Sequence, residues 1–475
     1  MWGGGASTIS EIVILGDERN GLLAQLVNAG YGNYNLCQAL VAITDETNTV
    51  RGEQIMHRLV AYFGVVPLFT GCLTQPALAQ KIFTWQQIRD QFEAANPTLR
   101  AGLLNIQESK SQEITAYLRP NPNLNFGLDQ IDPIDTSPFR PFAYTFPSAS
   151  VDYLHERAHK RELRLESAQK GTAVAESQQS DLERTLLFNL RAAFVNTLQA
   201  KQVLAMAKEN LAYFDREMEI GRTRFKAGDI ARVDLDRLEL QRVQYQSDLE
   251  TATVNLRTAK INLLALVNDR TPVDTFDVTG PFDFADNLMA LEEFHTIAVA
   301  NRPDLKAAAQ AVDKAQTDHK LAVANGSTDP TFSMDFGRNP PISGYFGLSV
   351  NIPLRIFDRN QGEKERTQID IGHAERLREA TQALVFSDVD SAYYSVVAAV
   401  NLLRPYRGDE GYLARATRVR ETISFSYQHG GAALVDFLDA QRDYRAIQVA
   451  YLNLIGSYLT AASQLNLAVG REAIQ

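Results

Sequence analysis

The stretch YQHGGAALVDFLDAQRDY, Tyr427 to Tyr444, decides the reading of this chain, because a version of it is written twice. About 200 residues earlier the chain runs FKAGDIARVDLDRLELQRVQY from Phe225. Both copies place an aromatic three residues before a glycine and an aspartate six residues after it: Phe225, Gly228 and Asp234, then Tyr427, Gly430 and Asp436. A heptad seam follows each turn. Leu235, Leu238, Arg242, Tyr245, Leu249, Ala252, Leu256, Ala259, Leu263 and Leu266 step by three and four. Phe437, Ala440, Tyr444, Ile447, Tyr451, Leu454, Tyr458, Ala461, Leu465 and Ala468 repeat those steps 202 positions later. A 3.5-residue apolar period is the seam of packed long helices. Glycine ends a helix in the left-handed conformation, and an aspartate in the next first turn suits the positive end of the dipole. The turns therefore read as the tips of two antiparallel helix pairs.

Working outward, the rest of the chain is duplicated too. NPTLRA (Asn96–Ala101) matches RPDLKA (Arg302–Ala307), and NPNLNFGLD (Asn121–Asp129) matches DPTFSMDFG (Asp329–Gly337). The order is kept, which marks an internal repeat. Each half reads as a short helix, two strands, a long helix, a turn and a long helix. Phe332, Met334 and Phe336 alternate with polar residues, as do Leu124, Phe126 and Leu128, and Phe346, Leu348, Val350, Ile352 and Leu354. Period two with one apolar face is a half-buried strand. The return strand of the first half, YTFPSASVDYL, carries Pro147, which favours an edge or a strand end. From Gly362 to Phe425 the pattern predicts one long helix with a weak break at Pro405.

The bulk numbers narrow the function. The chain has 475 residues, a net charge of −10 and 45% apolar residues. No basic stripe is present, which argues against nucleic acid. The two cysteines, Cys37 and Cys72, lie in the first 80 residues, and the seven histidines make no ligand-spaced pair. No Gly-rich phosphate loop or serine-nucleophile elbow occurs. No residue is assigned as catalytic, cofactor-binding or metal-ligating, and the chain does not read as an enzyme.

MHRLVAYFGVVPLFTGCLTQPALAQ begins at Met56 with a basic start, a short apolar run and Ala77-Leu78-Ala79. That is the pattern of an export signal. Residues 1–55 then read as a non-native extension, 56–79 as the signal peptide, 80–270 as the first repeat, 271–288 as a linker and 289–475 as the second repeat. In the first repeat the strands lie near 121–154 and the helix pair near 158–268, with its tip at 228. In the second they lie near 329–354 and 362–470, with the tip at 430. FTGC, ending at Cys72, resembles a lipoprotein signal box, so lipidation at Cys72 is the alternative to cleavage after Ala79. No run of about 20 apolar residues follows the signal.

Four alternating strands on an exported chain leave edges that must be paired. Several copies sharing one closed barrel would pair them, and such a barrel can cross an outer membrane. At these residues the chain resembles the TolC-type outer-membrane efflux proteins: in the duplicated aromatic-x-x-Gly-x5-Asp turns, the strand pairs and the final YLTAASQLNLAVG. SVNIPLRIFDRNQGE, Ser349–Glu363, is similar to the strand-to-helix junction of the CzcC-like heavy-metal branch. The resemblance implies a mostly α fold with a membrane β-barrel: a homotrimer with a 12-stranded barrel continued by a 12-helix periplasmic tube. It implies a passive exit duct joined by an adaptor to an inner-membrane pump of the RND type, and conducting heavy-metal cations. It also implies that Asp436 and Asp439 form acidic rings at the periplasmic constriction and that Asp234 and Tyr427 help hold it shut. Some members place an arginine where this chain has Ala432, which points to a looser gate or to one held by other contacts. Arg224, Lys226, Gly228, Gln428, Gly430 and Gly431 are the candidate adaptor contacts. A drug or type I secretion channel, and a periplasmic coiled-coil scaffold, are the competing readings.

Overall fold

A computed structural model describes residues 81–474 apart from 132–133, 135–137, 143–144 and 340–342. The extension 1–55, the signal peptide 56–79 and Cys72 lie outside the described residues. In the first half, β1 (Lys81–Phe83), α1 (Trp85–Ala95) and α2 (Pro97–Tyr117) precede the strands β2 (Asn123–Asp129) and β3 (Phe146–Leu154). Two long helices follow, α3 (Lys160–Ala227) and α4 (Arg232–Leu266). The second half has β4 (Phe276–Val278), α5 (Leu291–Asn301), α6 (Pro303–Asn325), β5 (Thr331–Gly337) and β6 (Tyr345–Asn351). It ends with α7 (Gln361–Leu403), α8 (Tyr412–Gln428) and α9 (Leu434–Val469).

The repeat is visible in the caps. Asn96 caps α2 by accepting from the amides of Thr98 and Leu99, and its Nδ2 donates to the carbonyl of Leu266 at the end of α4. In the second half the matching residue is Arg302. Its guanidinium donates to the carbonyl of Ala468 near the end of α9 and to Asp304 and Asp388. The two cap residues differ, yet each ties the start of a short helix to the end of its own long helix pair.

The strands form one antiparallel sheet in the order β2-β3-β5-β6. The register puts Leu124, Val151, Met334 and Leu348 in one row, and Phe126, Ala149, Phe336 and Phe346 in another. The opposite face carries Asn125, Ser150, Asp335 and Gly347, with Asn123, Asp152, Ser333 and Ser349 beside them. The apolar face is exposed, Phe126 at 79%. Pro147 sits second in β3, a central strand rather than an edge, and takes the end position that its missing N–H tolerates.

A side layer covers the long helices at mid-length. Ile88 and Phe92 of α1 and Phe276 and Val278 of β4 pack on Leu190, Phe194 and Leu198 of α3 and Leu263 and Leu264 of α4. Phe294 of α5 joins Val389 and Val396 of α7 and Tyr458 and Leu465 of α9. Burying each such side chain contributes about 1.5–3 kcal/mol. The 271–288 segment is thus no loose linker: β4 pairs in parallel with β1, and its side chains are buried.

The second long helix is not continuous. It stops at Leu403, turns through a 3-10 segment (Arg404–Tyr406) and restarts at Tyr412. Pro405 lacks a donor and crowds the preceding turn, and Gly408 is left-handed at φ +83°. Side chains fix the break: Tyr406 stacks on Tyr451, Arg404 pairs with Asp286 and Arg407 lies over Phe284. α3, by contrast, runs 68 residues without a break, about 100 Å. Among the described residues, the Gln361–Tyr406 segment is long and apolar enough to cross a membrane. Val385, Val389, Val396 and Leu403 on it are buried in the core, whereas Leu377, Leu384, Tyr394 and Leu402 stay exposed, and only 33% of its apolar window is buried.

Under the side layer lies a buried charge cluster. Lys260 donates to the carbonyl of Phe276 and pairs with Asp277, which also meets Lys201 at 2.6 Å. Burial works to raise the Asp277 carboxyl, but the Lys201 hydrogen bond and both ammonium charges prevail and hold it below the ordinary range. Asp277→Asn leaves Lys260 buried without its counter-charge and is expected to cost about 3 kcal/mol, read from a denaturation midpoint at neutral pH. Because the folded carboxyl is depressed, the ionised-state contribution is full above the unfolded value of about 4 and is lost as pH falls through the folded value. The wild-type advantage over Asp277→Asn should shrink across that acid window, and an unchanged difference would contradict the assignment.

Candidate functional site

The two turns come together at one end of the helices. α3 ends at Ala227, with Gly228 left-handed at φ +85° and the amide of Asp229 donating to the carbonyl of Arg224. α8 ends at Gln428, with Gly430 at φ +78° and the amide of Gly431 donating to the carbonyl of Ser426. Both turns use the left-handed residue that glycine adopts without steric cost. Beneath them Phe214, Leu238, Tyr245, Tyr427, Leu434 and Phe437 form one buried cluster with Ala432 packed on its side. Tyr427 stacks on Phe437 at 4.9 Å and Phe214 on Tyr245 at 4.7 Å. Burial pushes the Tyr427 phenol above its ordinary value and the Tyr245 phenol up to about 12.

Each residue singled out in the sequence can now be placed. Asp436 is exposed in the first turn of α9 and accepts from the backbone amide of Ala433. Asp439 is exposed one turn on and pairs with Arg442 at 3.0 Å; Asp443 contacts the same guanidinium. Asp234 lies in the first turn of α4 and faces Arg237 at 3.9 Å. Tyr427 is buried, and its hydroxyl has no partner among the described residues, so it does not bond to Asp234. Lys226, Gly228, Gly430 and Gly431 are exposed at the tips. Arg224 and Gln428 are half-buried. Arg224 donates to the carbonyl of Tyr427 at 2.6 Å and lies over its ring. Gln428 donates to both carboxylate oxygens of Glu217, which is buried on α3. These two residues therefore clamp one helix pair to the other.

Further clamps lie deeper, and sequence reasoning did not pick them out. Arg420 of α8 is buried between the rings of Tyr213 on α3, at 4.4 Å, and Tyr444 on α9, at 3.9 Å. Ser424 of α8 accepts from Tyr213 and from Gln441. Arg445 of α9 pairs with Asp248 of α4 at 2.7 Å. The signal was present: Ala416, Arg420, Ser424 and Tyr427 step by three and four, so Arg420 sits in the seam of α8. A cation in a seam asks for aromatic or anionic neighbours.

Above the clamps a groove of about 540 Å³ opens between α3, α4 and α9. Asn196, Gln199, Asn255, Thr258, Asn262 and Asn453 line it, over a floor of alanines, with no charged side chain. On each helix these residues point away from those that meet the side layer, such as Phe194, Lys260 and Tyr458. The groove and the side layer are thus on opposite faces of the helical wall. Among the described residues no group of three or more His, Cys, Asp or Glu side chains converges to hold a metal ion.

Replacing Arg420 with Leu removes both ring contacts from the clamp. Amide hydrogen exchange within α8 should accelerate by about tenfold, with the β-sheet amides unaffected. Unchanged exchange in α8 would show that the guanidinium does not hold the helix.

Comparison with known proteins bears on this arrangement. The model of the outer membrane efflux protein family matches residues 296–471, the second repeat. The cobalt-zinc-cadmium resistance protein CzcC of Cupriavidus metallidurans is 24% identical over 390 residues, covering 79% of this chain and 87% of that protein. The outer membrane efflux protein BepC of Brucella suis is 24% identical over 301 residues, 61% of this chain, which spans 64% of BepC's length. A crystal structure of CusC superposes with a TM-score of 0.67 at 17% identity, over 82% of this chain and 92% of that one. Two differently capped repeats, paired tips and a sheet with one bare apolar face thus meet in one chain, whose second repeat matches the outer membrane efflux protein family and whose fold is that of CusC.

Proposed function

We propose that the chain is the outer-membrane exit duct of a tripartite efflux system, a passive conduit whose energy comes from an inner-membrane pump reached through a periplasmic adaptor. One observation carries this reading. The four-stranded sheet has an exposed, wholly apolar face and a polar opposite face, and its edge strands β2 and β6 have no outer neighbour among the described residues. A membrane barrel has this alternation, lipid outside and water inside. Three copies of a four-stranded sheet give twelve strands, within the usual range of outer-membrane barrels of about 8 to 26. The helices carry matching open faces. Val233, Leu240, Val243, Val254 and Ile261 on α4 are exposed at heptad spacing, and Leu377, Leu384, Tyr394 and Leu402 are exposed on α7. A neighbouring copy would cover both. The bulky side layer then belongs outside the ring, which turns the carboxamide groove toward the lumen.

We assign heavy-metal cations as the cargo. CzcC is a cobalt-zinc-cadmium resistance protein by name, and rings built from Asp436 and Asp439 would hold a cation-attracting potential at the tip. Lys226 and the exposed tip glycines are the surface offered to the adaptor. The neutral lining of the groove favours a second reading, a duct for organic compounds. Growth of a deletion strain separates the two: sensitivity to cobalt, zinc or cadmium salts supports the metal cargo, and sensitivity to organic compounds alone removes it.

Asp439 shares its charge with Arg442, whereas Asp436 has only a backbone amide. Exchanging both for Asn should weaken divalent-cation block in planar bilayers by roughly tenfold, with most of the change from Asp436→Asn alone. Unaltered block and selectivity in the double variant would remove the ring assignment.

A further inference from the structure

The antiparallel register brings four strand-to-helix junctions to one end of the sheet. β3 leaves at Leu154 and β6 at Asn351, while β2 enters at Asn123 and β5 at Thr331. Seven residues of strand rise about 23 Å, close to the apolar band of an outer-membrane barrel, about 25 Å. These junctions therefore mark the periplasmic boundary of the bilayer, if the duct reading above holds.

That boundary carries four arginines. Arg119, Arg157, Arg355 and Arg359 lie in the junctions, and none makes an ion pair or side-chain hydrogen bond among the described residues. Arg119, Arg157 and Arg359 are exposed; Arg355 is half-buried, with its Nε shielded from solvent and lacking a partner. The nearby acids are mostly taken. Glu156 is bound by Arg164, Asp329 by Lys160 at 2.5 Å and Glu162 by Arg161 at 3.0 Å. Glu363 is bound by Arg366, and Asp358 accepts from the amide of Asn360. Two helix N-termini open onto the same rim. α3 starts after His159 and α7 after Asn360, both left-handed and both without a side-chain cap. Such ends attract anions. Next to the arginines stand apolar side chains with nothing over them: Leu118 at 60% exposure, Leu354 at 79%, Ile356 at 60% and Phe357 at 91%.

Alternation of bare apolar groups with unpaired guanidiniums suits an interface where acyl chains meet phosphates. The apolar side chains enter the hydrocarbon, and the arginines reach back to the headgroups. We propose that this rim is a binding collar for anionic phospholipids of the periplasmic leaflet. Each guanidinium takes a phosphodiester oxygen, and the collar fixes the depth at which the barrel sits. The collar is built twice per chain, Arg157 beside the start of α3 and Arg355 with Arg359 beside the start of α7. It would therefore ring the assembled duct.

The test uses the full protein reconstituted in vesicles of phosphatidylcholine alone or mixed with phosphatidylglycerol. Lipid retained after detergent extraction is measured by native mass spectrometry. Wild type should keep phosphatidylglycerol in preference to phosphatidylcholine. Arg119→Gln, Arg157→Gln, Arg355→Gln and Arg359→Gln combined should lower that preference by about fivefold or more, and the single Arg359→Gln variant by less. Equal retention of both lipids by wild type, or an unchanged preference in the combined variant, overturns the collar. Displacement of the bound phosphatidylglycerol by millimolar inorganic phosphate also overturns it, leaving a simple anion site. Failure of wild type to insert even into phosphatidylcholine overturns the membrane reading, and the collar with it; insertion without lipid preference overturns the collar alone.

Discussion

Backbone hydrogen bonding at the two open edges of one sheet is the constraint on which the rest of this structure depends. Inside hydrocarbon an unpaired N–H or C=O costs several kcal/mol, so a sheet can span a bilayer only when closed. Among the described residues this sheet has four strands, and β2 and β6 end the order. The apolar row from Phe126 to Phe346 cannot turn inward, because the helices cover neither face of the sheet. Closure by further copies satisfies the edges and hands the apolar face to lipid. Once the barrel is shared, the helices below must continue the same ring, and their exposed apolar residues are placed for it.

The two halves are one design adapted twice. The first keeps α3 whole, while the second breaks its long helix at Pro405 and restrains the break through Tyr406, Arg404 and Arg407. That leaves α8 a short rod with a stop at each end. Besides the apolar stacking of Tyr427 on Phe437, it meets α3 and α9 through polar and cation–π contacts of Arg420, Ser424 and Gln428. Contacts of this kind are directional and individually modest. They can be exchanged for others with little change in buried apolar area.

Much of this was legible in the sequence because periodicity reports which residues share a face. The seam from Leu235 to Leu266 and its copy from Phe437 to Ala468 are buried or half-buried throughout. The alternation at Phe332, Met334 and Phe336 marks one face of β5. What periodicity cannot carry is long-range pairing. The β1–β4 pair joins residues almost 200 apart through three-residue strands, too short for any pattern to show. The break at Pro405 was visible, but its extent depended on Gly408 and on partners in the side layer. At the tips the sequence found the exposed Asp436, Asp439, Gly228 and Gly430. It read Arg224 and Gln428 as surface residues, because a polar side chain in a turn looks the same whether it meets water or another helix. Arg420 shares the three-and-four step of Ala416, Ser424 and Tyr427, so its seam position was legible, but its ring partners on α3 and α9 were not.

The central claim, that separate copies pair β2 to β6 and close one barrel, has a direct measurement. Cysteines are placed at Asn125 in β2 and Ser349 in β6, both on the polar face, in a chain whose two native cysteines, Cys37 and Cys72, both precede residue 80. Register variants shifted by two residues are made alongside, and the protein is oxidised in outer-membrane fractions. The account predicts that at least one pairing yields a covalent species of three chains on denaturing gels, lost on reduction. Chains that stay single in every register would contradict it.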